Sequence, residues 1–139
     1  MNELYGFYTD IYEGNKRLIQ DTKEVSHPIS MILQEALKEQ QAYLEKLIPM
    51  LKDDWTLDEI KEPVTIIYHN FDAVKPLFNA LMRAVNWVNI KETSVINDLK
   101  HVLPGMKKNL EAIAEDLEKR FGAEKIKYIV PSFYSPRIR

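Results

Sequence analysis

The residues of this chain best suited to chemistry are three histidines and the carboxylates near them: His27, His69 and His101. Two stand in spacings that metal sites use, Glu24-x-x-His27 and Asp98-x-x-His101. Residues three apart share one face of a helix, so each pair offers a carboxylate oxygen and an imidazole nitrogen to one ion. In helical bundles two such pairs, joined by glutamates of other helices, hold a di-metal centre. That chemistry needs every ligand to point inward. The periodicity set out below places Glu24 and His27 at a break between helices, and His69, Asp98 and His101 on outward positions. The expectation is no metal site and no metal cofactor.

His101 has another reading. In the stretch His101-Val-Leu-Pro-Gly105, three residues (His101, Leu103 and Gly105) resemble the H-x-L-K-G-type motif of histidine phosphotransfer domains. The likeness covers five residues of 139. It implies a four-helix bundle with His101 as an outward-facing phosphoacceptor. Pro104 stands where that family has a lysine that helps bind phosphate, and Lys107 and Lys108 follow one turn later. Proline inside a helix removes a donor and crowds the carbonyl four residues back, here that of Lys100. The Pro-Gly pair therefore predicts first a kink beside an idle histidine. Phosphotransfer is the alternative.

Other catalytic chemistry finds no foothold. The chain has no cysteine, which excludes thiolate zinc sites, iron–sulfur clusters, cysteine nucleophiles and disulfides. It has no glycine-rich phosphate loop and no G-x-S-x-G elbow. Acid–base catalysis needs titratable groups buried together. The polar residues expected inside are Asn15, Thr22 and Gln40, all neutral, and buried amides serve to fix helix register. No catalytic residue is assigned, and a non-enzymatic protein is expected.

The elements that would position any site are four amphipathic helices. The first covers about residues 2–23, with Leu4, Tyr8, Ile11, Leu18 and Thr22 on one stripe and Asn15 as its polar interruption. Tyr5, Phe7, Tyr12 and Ile19 widen it. The second begins at Ser26-His27-Pro28, where Ser26 can cap and Pro28 suits the first turn. Its face is Ile29, Leu33, Ala36, Leu37, Leu44, Leu47, Ile48 and Leu51, with Pro49 expected to bend its end. Thr56-x-x-Glu59 matches a capping box and predicts a short extra turn in the connector.

The third helix is expected from Pro63 to about Ile90, with Val64, Ile67, Phe71, Val74, Phe78, Leu81, Val85 and Val88 inward. The fourth runs from Thr93-Ser94 to Gly122, with Leu99, Leu103, Met106, Leu110, Ile113 and Leu117 in heptad register. Glu115 with Lys119, and Asp116 with Arg120, are spaced as i,i+4 pairs. The fold expected is all-α: a four-helix up-and-down bundle over 1–122 with kinked helices and an extended C-terminal tail over 123–139.

The formal charge of −2 is unevenly spread. After Gly122 the chain carries +3 (Lys125, Lys127, Arg137 and Arg139 against Glu124), leaving −5 on residues 1–122. An acidic body argues against a nucleic-acid surface. The opening MNELYGFYTD has no basic and apolar leader, and no apolar run reaches membrane-spanning length. A cytoplasmic protein without membrane or nucleic-acid partners is expected. Ile126, Tyr128, Ile129, Val130, Phe133 and Tyr134 are too apolar for a freely solvated tail, which should dock on the bundle or on a neighbouring chain.

Two features bear on partners. The apolar face of the third helix spans roughly 160–200° at 100° per residue, wider than an isolated bundle needs, and Trp87 and Ile90 lie beyond it. That surplus predicts a homodimer through the first and third helices and the tail. The tyrosines Tyr5, Tyr8, Tyr12, Tyr43 and Tyr68 are expected as core or interface. Pro76 and Pro104 fall at one height if the third and fourth helices run antiparallel. Kinks there predict a mid-height cavity beside Phe71 and Phe78, with the carbonyls of Asp72 and Lys100 released, and hence a small-molecule alternative.

Overall fold

The computed structural model describes residues 3–84, 90–131 and 134, the side chains of 90–95 excepted. Expectations concerning Val85, Trp87, Val88, Phe133, Arg137, Arg139 and the side chains of Ile90, Thr93 and Ser94 lie outside the described residues. The chain is all-α, with no strand among the described residues: α1 Glu3–Thr22, α2 Pro28–Lys52, α3 Leu57–Ala84, α4 Ile90–Phe121 and the short α5 Ala123–Ile126.

Most of each predicted stripe is buried among the described residues, though Ile29, Ala36 and Ile48 of α2 are only partly buried. On α1 the buried residues are Leu4, Tyr8, Ile11, Asn15, Leu18 and Thr22. On α4 the heptad residues Leu99, Leu103, Met106, Leu110, Ile113 and Leu117 are all buried. They join Leu33, Leu37, Leu44, Leu47 and Leu51 of α2 and Ile60, Val64, Ile67, Phe71, Val74, Phe78 and Leu81 of α3 in one core. Packing runs α1 on α2, α2 on α3 and α1 on α4. The α1–α2 pairing is antiparallel, with Ser30 bonded to the carbonyl of Thr22 and Asn15 to that of Leu37. Gly14 is where α1 approaches α4 closely: a Cβ there would stand 3.2 Å from Met106 Cγ.

The helix ends depart from expectation in ways the capping chemistry explains. His27, not Ser26, caps α2: its Nδ1 accepts from the Ile29 N–H at 3.1 Å, and Pro28 occupies the first helical position. The Thr56–Glu59 capping box forms, with the Thr56 N–H on Glu59 Oε1 at 2.8 Å and the Glu59 N–H on Thr56 Oγ1 at 3.3 Å. It starts α3 itself rather than a separate turn. Pro63 therefore lies inside α3, where its missing N–H forfeits one helical bond and its ring is buried. Pro49 and Pro104 likewise sit inside continuous helices. α4 begins at Ile90, ahead of the expected Thr93-Ser94, and stops at Gly122, whose φ of 89° is open to glycine and whose N–H reaches the carbonyl of Glu118 at 2.8 Å.

The segment after Gly122 is not extended where it begins. It turns through α5 and a second turn closed by the Val130 N–H on the carbonyl of Ile126 at 3.0 Å. It docks on its own bundle: Ile126, Ile129, Val130 and Tyr134 are buried in the core cluster. No helix of the described residues is long and apolar enough to cross a membrane.

Candidate functional site

The seam between α3 and α4 is one place where the bundle opens. These helices approach each other less closely than the other neighbouring pairs. Tyr68 bridges the gap from α3, its hydroxyl donating to the carbonyl of Leu110 on α4. The tail fills the seam at that level. Tyr134 packs edge-on against Tyr68, with ring centroids 4.8 Å apart, and its hydroxyl donates to Asp72 Oδ1 at 2.8 Å. Burial raises the pKa of both phenols, so both remain neutral donors.

Beyond the tail the seam is a groove of about 380 Å³. Phe71, Phe78 and Met82 of α3 face Leu103 and Pro104 of α4 across it. Three lysines, Lys75, Lys100 and Lys107, complete the lining with Asn79, and no carboxylate is among these residues. This is the level at which the sequence places paired prolines: Pro104 lines the groove and Pro76 lies between Phe71 and Phe78. Neither has an N–H to return to the carbonyl of Asp72 or Lys100. The aromatic and apolar floor was legible beforehand. The lysine rim was not, although Lys100 and Lys107 stand two turns apart on one face of α4.

The histidines do not meet. His27 is spent on capping α2, His69 is exposed on α3, and His101 is exposed on α4. His101 Nδ1 lies 2.7 Å from the carbonyl oxygen of Asn97 and must donate to it, since a carbonyl only accepts. Among the described residues no three His, Asp or Glu side chains gather as metal ligands would. Of the tyrosines, Tyr8 and Tyr68 are core; Tyr5, Tyr12 and Tyr43 are half-buried against it.

Two polar clusters lie elsewhere. Asn15, Gln40 and Asn70 form an amide ladder across three helices. Gln40 Nε2 donates to Asn15 Oδ1 at 2.8 Å, Asn15 Nδ2 to Gln41 Oε1 at 2.8 Å, and Asn70 Nδ2 to the carbonyl of Ala36 at 3.0 Å. The second cluster corrects an expectation: Asp98 does not face open solvent but lies against α1, held by the guanidinium of Arg17 through both carboxylate oxygens. Asp21 stands one turn from Arg17. Burial, with a hydrogen bond to Asp98 and repulsion from its charge, pushes the Asp21 carboxyl up to about 7. Asp98 is held below the usual range by that same hydrogen bond and by Arg17. One proton therefore serves the pair. The i,i+4 spacing of Arg17 and Asp21 beside the core residue Leu18 is the only sequence signal for it.

Comparison with protein families, with curated proteins and with solved structures finds no match for this chain.

Proposed function

We propose that this chain is a non-enzymatic binding bundle that holds a small molecule in the groove between α3 and α4. The observation that carries the reading is the build of that groove: an apolar floor of Phe71, Phe78, Met82, Leu103 and Pro104 with three lysines and an asparagine among the described lining residues. Binding sites for small molecules are concave and mostly apolar, with a few polar groups to orient the ligand. The coupled carboxyls Asp21 and Asp98 belong to the α1–α4 seam, away from the groove. The lack of cysteine is in keeping with a reducing cytoplasm as the place of action. Native mass spectrometry of the purified chain, followed by the denatured spectrum, tests the proposal. A reproducible mass added to the 16.3 kDa chain and lost on denaturation is expected. A bare chain whose melting temperature no apolar small molecule raises would overturn it.

Self-association is a second reading, favoured by three side chains the fold leaves outside. Met31 and Ile32 are adjacent on α2 and exposed at 69% and 56%, and Tyr128 on the docked tail at 82%. The tail meets α3 in cis at Tyr68 and Asp72, part of the surface that a homodimer through α1, α3 and the tail would use. An integer multiple of the chain mass with nothing added supports this reading over the first.

A further inference from the structure

We infer that the niche between α1 and α2 at Tyr5 and Tyr12 binds a small quaternary ammonium ion, held between the two phenol rings and neutralised by Glu13 and Glu45. The site lies on a different seam from the α3–α4 groove and does not depend on it. Its volume is about 300 Å³, at the small end of ligand pockets. Tyr5 and Tyr12 share one face of α1, about 10 Å apart along the axis at 1.5 Å per residue. A cation lodged midway stands about 5 Å along the axis from each, within the ~6 Å over which an aromatic face attracts it. Both rings are half-buried against the core, which fixes their positions. Thr9 and Ile48 line the niche between them, and the Thr9 hydroxyl is spent on the carbonyl of Tyr5 at 2.7 Å. The Tyr5 ring already draws a cation of the chain itself: Lys52 Nζ stands 5.8 Å from its centroid.

Negative charge comes to the same place from both helices. Glu13 of α1 and Glu45 of α2 are in the lining, and the Tyr12 hydroxyl donates to Glu45 Oε2 at 3.4 Å, which orients ring and carboxylate together. Pro49, also in the lining, has no N–H to return to the carbonyl of Glu45, so that oxygen is released from its helical bond. An anion would meet two carboxylates here and be repelled. A metal ion would need further ligands, and among the described residues no three His, Asp or Glu side chains gather to supply them. A primary ammonium is compact and strongly hydrated, and would surrender hydrogen bonds to water on entering. A quaternary ammonium has no N–H to satisfy and presents methyl groups to the rings, with the carboxylates balancing its charge.

Proton NMR of the full-length chain titrated with choline tests the assignment, against the neutral isostere 3,3-dimethylbutan-1-ol. Choline should bind with its trimethyl resonance moved upfield by the ring currents, and the isostere should bind several-fold more weakly. Added salt should weaken choline and spare the isostere. Tyr12→Leu removes one ring and should weaken choline roughly three- to thirty-fold, whereas Tyr12→Phe, which keeps the ring, should stay within about three-fold of the parent. The double variant Glu13→Gln/Glu45→Gln should weaken choline roughly three- to ten-fold and leave the isostere unchanged. Lys52→Gln removes the competing ammonium from the Tyr5 ring and should tighten choline. Thermal melts establish that each variant is folded. The isostere binding as tightly as choline overturns the cationic class. Absence of choline binding, or binding indifferent to both Tyr12→Leu and the glutamate changes, overturns the site.

Discussion

Tyr134 donates its phenolic hydrogen to Asp72 Oδ1 at 2.8 Å across 62 residues of sequence, with its ring set edge-on against Tyr68. This contact ties the end of the described chain to the middle of α3 and turns an apolar tail into part of the core. A hydrogen bond to a carboxylate is stronger than one to a neutral acceptor, but Asp72 is only half-buried. Tyr134→Phe should therefore lower stability by about 1 kcal/mol while keeping the ring packing. Tyr134→Ala, which also loses the buried aromatic, should cost about 3 kcal/mol or more. Urea unfolding of the three proteins measures both steps. Equal losses in the two variants would mean that the ring contributes nothing and the tail is not docked.

The amide ladder gives a second expectation. Gln40 is fully buried, and its Nε2 satisfies Asn15 Oδ1. Gln40→Leu removes that donor and strands the Asn15 carbonyl oxygen in the core, at a cost of about 1–3 kcal/mol. Asn15→Leu strands Gln40 in the same way. The double change removes both partners and should cost less than the sum of the single ones, a non-additivity that a double-mutant cycle reads directly. Strict additivity would show that the two amides do not act together.

The α1–α4 seam carries a pH dependence with a definite sign. Asp21 has its folded pKa raised from 3.8 to about 7, so the folded chain holds a proton that the unfolded chain has released. Its contribution to stability is present below about pH 4 and is lost as pH rises toward and through 7. The lowered Asp98 acts oppositely, contributing above its unfolded pKa and losing that contribution as pH falls through its folded value. Arg17 opposes the Asp21 shift, Glu24 adds to it, and the positive form of His101 helps hold Asp98 ionised. Stability should fall from pH 5 to pH 8 by roughly 1 kcal/mol, solvent screening at this half-buried site being allowed for. Asp21→Asn, neutral at every pH, should flatten the profile. A decline that persists in Asp21→Asn belongs to another group.

How much of this was legible in the sequence follows from how far each signal extends. The stripes of α1 and α4 were readable residue by residue, because burial of a helix face repeats every three or four positions and the sequence carries that period directly. Asn15, Thr22 and Gln40 were readable as interior because they interrupt such stripes; Ser30, also buried, was not, since it lies at the start of α2 beside its cap. Thr56 and Glu59 announced a helix start, but which helix they start depends on whether Pro63 is tolerated inside it, and packing of the Pro63 ring decides that. Phe71, Phe78 and Pro104, singled out in the sequence, line the groove, whereas Pro76 is not among its described lining residues. Its lysines belong to two helices whose mutual rotation no single-helix pattern contains, and Arg17 with Asp98 are 81 positions apart for the same reason. The apolar character of the tail's Ile126, Ile129, Val130 and Tyr134, all buried in the core, was readable. Its helical turn was not, because a four-residue helix leaves no period to detect.

Tyr8 supplies the last expectation. It is among the largest fully buried side chains, and its hydroxyl has no hydrogen-bond partner. Burial alone raises its pKa well above the ordinary phenol value. A buried hydroxyl without a partner carries its desolvation penalty uncompensated, about 1–3 kcal/mol by mutational measures. Tyr8→Phe removes that penalty and leaves the ring in place, so it should be neutral or stabilise the bundle by up to about 1 kcal/mol once the small cavity left by the oxygen is counted. Tyr68→Phe is the control: its hydroxyl is bonded to the carbonyl of Leu110, and losing it should destabilise by about 1 kcal/mol. Opposite signs for two fully buried tyrosines of one core, read from denaturant midpoints, would establish that partnering rather than burial sets their contributions. If Tyr8→Phe proves as costly as Tyr68→Phe, the Tyr8 hydroxyl has a partner in solution, and an ordered water held between α1 and α3 is the first to look for.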